Sequence, residues 1–109
     1  MFHMLNCFDL KPDVTIDDFQ SSVDAFMAHM QSAGLAESMS AIGRRQRHTI
    51  MDTDSERDHE YFFILSFRDR DQCDRSVEFI TLDKEPEKSI HNSMNSKITN
   101  AIFICWEDI

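Results

Sequence analysis

Asn6 is the one polar side chain on a strand face otherwise made of Phe2, Met4, Phe8 and Leu10. A buried amide must find hydrogen-bond partners or face a wet cavity, and in a cavity it can hold a carbonyl or an activated oxygen. His91 stands beside Ile90 in a short helical pattern. An imidazole there is either a partly exposed surface group or a ligand and general base. Tyr61 and Trp106 each join an apolar body to one hydrogen-bonding tip. They either pack in the core with the tip on backbone, or orient a phenolic or carbonyl substrate. Arg44, with Arg45, Arg47 and His48, concentrates positive charge in an acidic chain. Such a cluster can hold a substrate carboxylate by bidentate contact, guard a sheet edge, or pair with acids across a dimer.

Other chemistries lack their residues. Asp52, Asp54, Glu56 and Asp58 imitate the opening of a calcium loop, but Arg57 replaces the turn glycine and Phe63 the bidentate glutamate, so the stretch reads as a solvated loop. No H-x-x-x-H or H-E-x-x-H pair marks a zinc site. With glycine only at positions 34 and 43, a nucleotide-binding turn is excluded, and no G-x-S-x-G marks a hydrolase. His3 on a strand would need a partner that the sequence does not reveal; His29 and His59 fall on a polar helix side and beside a loop.

The composition is that of a globular chain of 109 residues, read as one domain over 1–109, with a formal net charge of −9. So acidic a surface disfavours nucleic acid and anionic membranes as partners. No apolar run reaches the roughly 20 residues that span a bilayer, and the N-terminus lacks a basic segment followed by an apolar one. Cys7, Cys73 and Cys105, an odd and widely spaced set, read as reduced core thiols of a cytoplasmic protein.

The elements that must position these residues follow from periodicity. Residues 2–10 form a strand ended by Lys11-Pro12-Asp13. Thr15 caps a helix with Asp18 at its third position; Ile16, Phe19, Val23, Phe26, Met27 and Met30 make its buried stripe, and Gly34 supplies the left-handed stop. Residues 35–47 read as an edge strand and 48–58 as a polar loop. Glu60–Arg68 is a central strand, apolar on both faces: Tyr61, Phe63, Leu65 and Phe67 against Phe62 and Ile64. Asp69 caps a second helix with Gln72 completing a capping box, and Cys73, Ser76, Val77 and Ile80 line its inner face. Pro86 opens a short helix in which Ile90, Met94 and Ile98 recur in steps of four. Residues 101–106 close the chain as a strand.

The order β-α-β-β-α(α)-β predicts a ferredoxin-like α+β sandwich, a four-stranded antiparallel sheet with its helices on one face. Strands apolar on both sides then need a second cover, and a symmetric homodimer supplies it.

The L-K-P-D turn, the G-R-R at 43–45, the F-R-D-R-D start of the second helix and the element order resemble the dimeric α+β barrel superfamily. Its members include antibiotic-biosynthesis monooxygenases, lactone isomerases, stress-responsive barrels and heme-degrading monooxygenases. The resemblance implies a pocket for a hydrophobic or aromatic small molecule. In heme-degrading members an asparagine, a tryptophan and an axial histidine serve the site; those positions fall here on Asn6, Phe79 and His91, with phenylalanine in place of the tryptophan. The resulting expectation is a homodimer without cofactor. Its pocket is lined by Asn6, Phe8, Tyr61, Phe63, Phe79, His91 and Trp106, with Arg44 nearby. His91, Asn6 and Tyr61 would carry oxygenase or isomerase chemistry; the alternative is a non-enzymatic ligand-binding or stress-associated structural barrel whose interior is simply core.

Overall fold

The computed structural model describes all 109 residues. Its elements are β1 (Phe2–Leu10), α1 (Ile16–Ser32), β2 (Ser38–Met39), β3 (Gly43–Arg44), β4 (Tyr61–Phe67), α2 (Arg70–Thr81), α3 (Glu87–Asn95) and β5 (Ile98–Glu107). All strand pairs are antiparallel in the order β2-β4-β1-β5, with β3 also on β4. This is the expected ferredoxin-like α+β topology. The edge strand differs from its reading. Residues 35–47 make two short strands instead of one, because Ser40 turns its hydroxyl into the ladder, where Oγ accepts from the Ile64 N–H at 2.7 Å.

Helix ends are set by local chemistry. At Thr15 the capping box closes: Thr15 Oγ1 accepts from the Asp18 N–H (3.1 Å) and Asp18 Oδ2 from the Thr15 N–H (3.3 Å). Gly34 stops α1 at φ 71°, a conformation that glycine adopts without strain. At α2 the box is only half made. Asp69 Oδ1 accepts from the Gln72 N–H at 2.8 Å, but the Gln72 side chain turns inward to take the Arg68 N–H (2.7 Å) and to donate to Gly34 O (3.1 Å) and Glu37 Oε1 (3.0 Å).

The sheet has an inner face under the helices and an outer face. Inside, Phe8 meets Phe19, Tyr61 and Phe63 at centroid distances of 4.7, 5.6 and 5.9 Å. Outside, register sets Leu5 between Ile64 and Ile104, and His3 between Ser66 and Trp106. His3 thereby finds the partners the sequence left unnamed: Nδ1 meets Ser66 Oγ at 2.8 Å and Nε2 meets Asp108 Oδ1 at 2.9 Å. Ile104 and Trp106 remain exposed on the outer face.

Two expectations need correction here. The acid-rich loop is not simply solvated: the Arg45 side chain is buried and binds Asp52 through two contacts of 2.7 Å, the Asp54 carbonyl at 2.7 Å and the Arg57 carbonyl. Arg44 and Arg47 likewise pair within the chain, with Glu60 and Asp58. Residues 45–57 thus fold over part of the outer face, above Leu5, Cys7 and Phe62. And Cys105 is not a core thiol; it lies exposed on β5, an edge strand with no neighbour on its far side, while Cys7 and Cys73 are buried.

Candidate functional site

Between the inner face of the sheet and the three helices lies a cavity of about 330 Å³, at the small end of the range that ligand sites occupy. Of its 24 lining residues 19 are hydrophobic, and none is Asp, Glu, Lys or Arg. The five polar ones are Asn6, Ser76, Thr81, His91 and Asn95. Val77 on α2 and Phe103 on β5, each about half exposed, stand where the cavity meets solvent. Val77 therefore rims the cavity and does not fill the inner face of α2.

The polar groups differ in their hydrogen-bond state. The Ser76 hydroxyl is spent on the carbonyls of Leu35 and Gln72, and Thr81 on that of Glu78. Asn6 is buried on β1, level with Phe63 and Phe103; its Nδ2 donates to Met4 O at 3.0 Å, and its Oδ1 keeps its acceptor capacity. His91 packs its ring 6.0 Å from that of Phe26. Burial alone acts on its titration and holds the imidazole pKa below the usual 6.5, so it is neutral at pH 7 and able to accept a proton. Burial also pushes the Cys73 thiol up to about 11, with Cys105 adding to the effect, and raises Cys7, so neither is a thiolate nucleophile at neutral pH.

Of the residues singled out from sequence, Asn6, Phe8, Phe63 and His91 come together on the cavity wall. The other four do not. Tyr61 is buried beside Phe8, but its hydroxyl turns away to accept from Arg44 Nη2 at 3.3 Å, with the guanidinium 5.5 Å from the ring. Arg44 is thus outside the cavity and mostly solvent-exposed, where it cannot reach a carboxylate inside. Trp106 lies on the opposite face of the sheet, 5.2 Å from the His3 ring, because strand alternation sends it outward. Phe79 packs against the core from α2 without lining the cavity, so the Asn6–Phe79–His91 set does not converge on one space.

Asn95 and Thr81 escaped the sequence reading, which places Ser76 on the inner face of α2 but not in a site. Asn95 had a signal: it follows His91 by four residues, one helical turn, and so shares its face. Thr81 had none beyond its place on an amphipathic helix. No group of three or more His, Cys, Asp or Glu side chains is arranged to hold a metal. No helix is long and apolar enough to cross a membrane.

The architecture has solved counterparts. The Arabidopsis thaliana protein At3g17210 superposes with a TM-score of 0.73 at 6% identity, over 100% of this chain and 96% of that one. A dimeric ferredoxin-like protein of unknown function from Jannaschia sp. CCS1 gives 0.65 at 11% identity, covering 98% of both chains. SnoaB, a cofactor-independent oxygenase from Streptomyces nogalater, gives 0.61 at 11% identity, over 99% and 92%. Identities this low speak for the fold alone. No curated protein sequence matches. One family model does, over residues 1–108, and by that near-complete match the chain belongs to DUF6614, a family of unknown function.

Proposed function

We propose that this chain is a homodimer that binds a small, uncharged hydrophobic or aromatic molecule in the cavity beneath the helices. We propose further that His91 acts on that molecule as a general base in cofactor-independent oxygenase or isomerase chemistry. The carrying observation is the pairing of a 330 Å³ apolar cavity with a neutral imidazole that protein groups leave without a proton partner. In this reading His91 takes a proton from an acidic O–H, or from a C–H next to a conjugated carbonyl. The second N–H of the Asn6 amide, the one not given to Met4 O, donates to the oxygen on which charge develops. The absence of charged lining residues favours a neutral ligand, since an unpaired carboxylate in so apolar a space would be strongly disfavoured. Dimeric ferredoxin-like neighbours and the exposed Ile104 and Trp106 support the pairing of two outer faces. The neighbouring oxygenase SnoaB supports the reaction class by fold analogy.

One observation favours ligand binding without turnover: no carboxylate or carbonyl orients His91, whereas general bases are commonly held by a third group. Calorimetric titration of 1-naphthol into the wild type and into Val77→Trp, which plugs the cavity mouth, tests binding. Oxygen uptake with anthrone, whose ring CH2 is acidified by the conjugated carbonyl, tests chemistry in the wild type and in His91→Ala. Binding lost in Val77→Trp, with oxygen uptake lost in His91→Ala, is the expected pair of results. Binding without uptake leaves the non-enzymatic reading, and absence of binding removes both.

A further inference from the structure

Residues 45–57 form a wall on the outer side of the sheet, enclosing with Leu5, Cys7, Phe62 and Ile104 an open space of about 490 Å³. The wall is held firmly. Arg45 is clamped by Asp52 and by two carbonyls, Arg57 pairs with Asp54, and Arg47 with Asp58. At its tip the Asp52 N–H donates to Thr49 O at 3.1 Å and the Met51 N–H to Thr49 Oγ1 at 3.3 Å, which fixes a tight turn. That turn carries Ile50 and Met51, 91% and 81% exposed. A single exposed aliphatic residue needs no explanation. Two adjacent ones on an ordered turn add to the apolar surface of the side where Ile104 and Trp106 are also exposed.

We infer that the Ile50–Met51 turn is an arm that packs against a second copy of this chain, and that Arg45 is the residue that positions it. The inference rests on the dimer proposed above and adds what that dimer must contain. Because residues 45–57 stand out from the outer face, a subunit seated over Ile64, Ile104 and Trp106 meets them as it approaches. Two-fold symmetry makes the contact twice, each arm reaching the other subunit. The occupant is another copy because arm and apolar sheet face are continuous, on the side left bare by the helices, in a fold whose solved neighbours include dimers. The ion-pair clamp holds the arm in shape before association, which lowers the ordering cost of binding.

Sedimentation velocity over a concentration series tests this with the full chain, the double variant Ile50→Asp/Met51→Asp, Arg45→Ala, and Leu82→Asp as an exposed apolar control at the end of α2. The wild type should dimerise; the double variant and Arg45→Ala should each weaken the dimer about tenfold or more, and Leu82→Asp should not. A double variant with the wild-type dissociation constant overturns the arm while leaving the sheet dimer standing. A wild type that stays monomeric overturns both. Hydroxyl-radical footprinting of the unmodified chain gives a reading free of folding effects: Met51 should become protected as dimer forms, and a Met51 that labels equally in monomer and dimer overturns the arm.

Discussion

The His91 imidazole lies 6.0 Å from the Phe26 ring at an interplanar angle of 55°, an apolar neighbour that takes no proton from it. Burial lowers its pKa from 6.5, so the folded chain refuses a proton that the unfolded chain accepts. The sign follows from linkage. The contribution is fully present above pH 6.5, declines as pH falls through 6.5, and levels off below the folded-state pKa. Urea unfolding between about pH 7.5 and about pH 5 should show this decline, and His91→Gln should flatten it. An unchanged slope in the variant would assign the titration to another group.

Asn6 should matter for what the cavity selects more than for how the chain folds. Its Oδ1 retains acceptor capacity on an otherwise apolar wall, so a ligand hydroxyl gains one hydrogen bond there. In Asn6→Leu the preference for 1-naphthol over naphthalene should shrink by the worth of one such bond, about 0.5–1.5 kcal/mol or roughly 2- to 13-fold in affinity. Equal discrimination in wild type and variant, measured by calorimetry, would remove Asn6 from the site.

Most of the fold was legible because periodicity reports burial. The α1 stripe, the inner residues of β4 and the mixed face of β1 all fall where alternation and helical spacing put them. Four of the eight singled-out residues share the cavity: Asn6, Phe8 and Phe63 follow from strand parity, whereas His91 lies off the four-residue steps of Ile90 and Met94 and is placed only by the resemblance. Trp106 shows the limit. Its strand was apolar on both sides, so parity could not tell which face met the helices. Tyr61 shows another, since the direction of a phenol tip depends on a cation, Arg44, that reaches it only through pairing of β3 with β4. The inward turn of the acid loop depended on which acid Arg45 would choose, and sequence spacing does not encode that.

Gln72 offers a test of the polar core. It is 1% exposed, and its side chain satisfies the Arg68 N–H, the Gly34 carbonyl and Glu37, joining the end of α1 to the start of α2. Gln72→Leu is close in size but takes the partner from the Arg68 N–H and the Gly34 carbonyl in bonds that are partly buried. A loss of about 1–3 kcal/mol is expected in urea unfolding with little change in the slope of the transition. A loss within experimental error would mean that solvent reaches these groups and that the link is dispensable.

Acid should release the outer loop only as pH falls from 3.8 through about 2. The Arg57 guanidinium, hydrogen-bonded to Asp54, is the main cause that lowers that carboxyl from 3.8 to about 2, and the Glu56 N–H, which reaches Asp54 Oδ1 at 2.9 Å, adds to it. Arg45 lowers Asp52 in the same direction. A carboxylate with a depressed folded-state pKa stabilises above its unfolded value and loses that contribution as pH falls from 3.8 through about 2. The Glu56 amide resonance is a direct reporter, because its partner is the titrating oxygen. Its shift should move with a midpoint near 2 in the wild type and nearer 3.8 in Arg57→Ala. Arg45→Ala should disorder the loop at neutral pH while leaving the amide signals of β1 and β4 in place, since the clamp fixes the wall and not the sheet. If the β1 and β4 signals collapse together with those of residues 45–57, the loop is instead a structural part of the sheet, and its ion pairs serve the fold of the single chain.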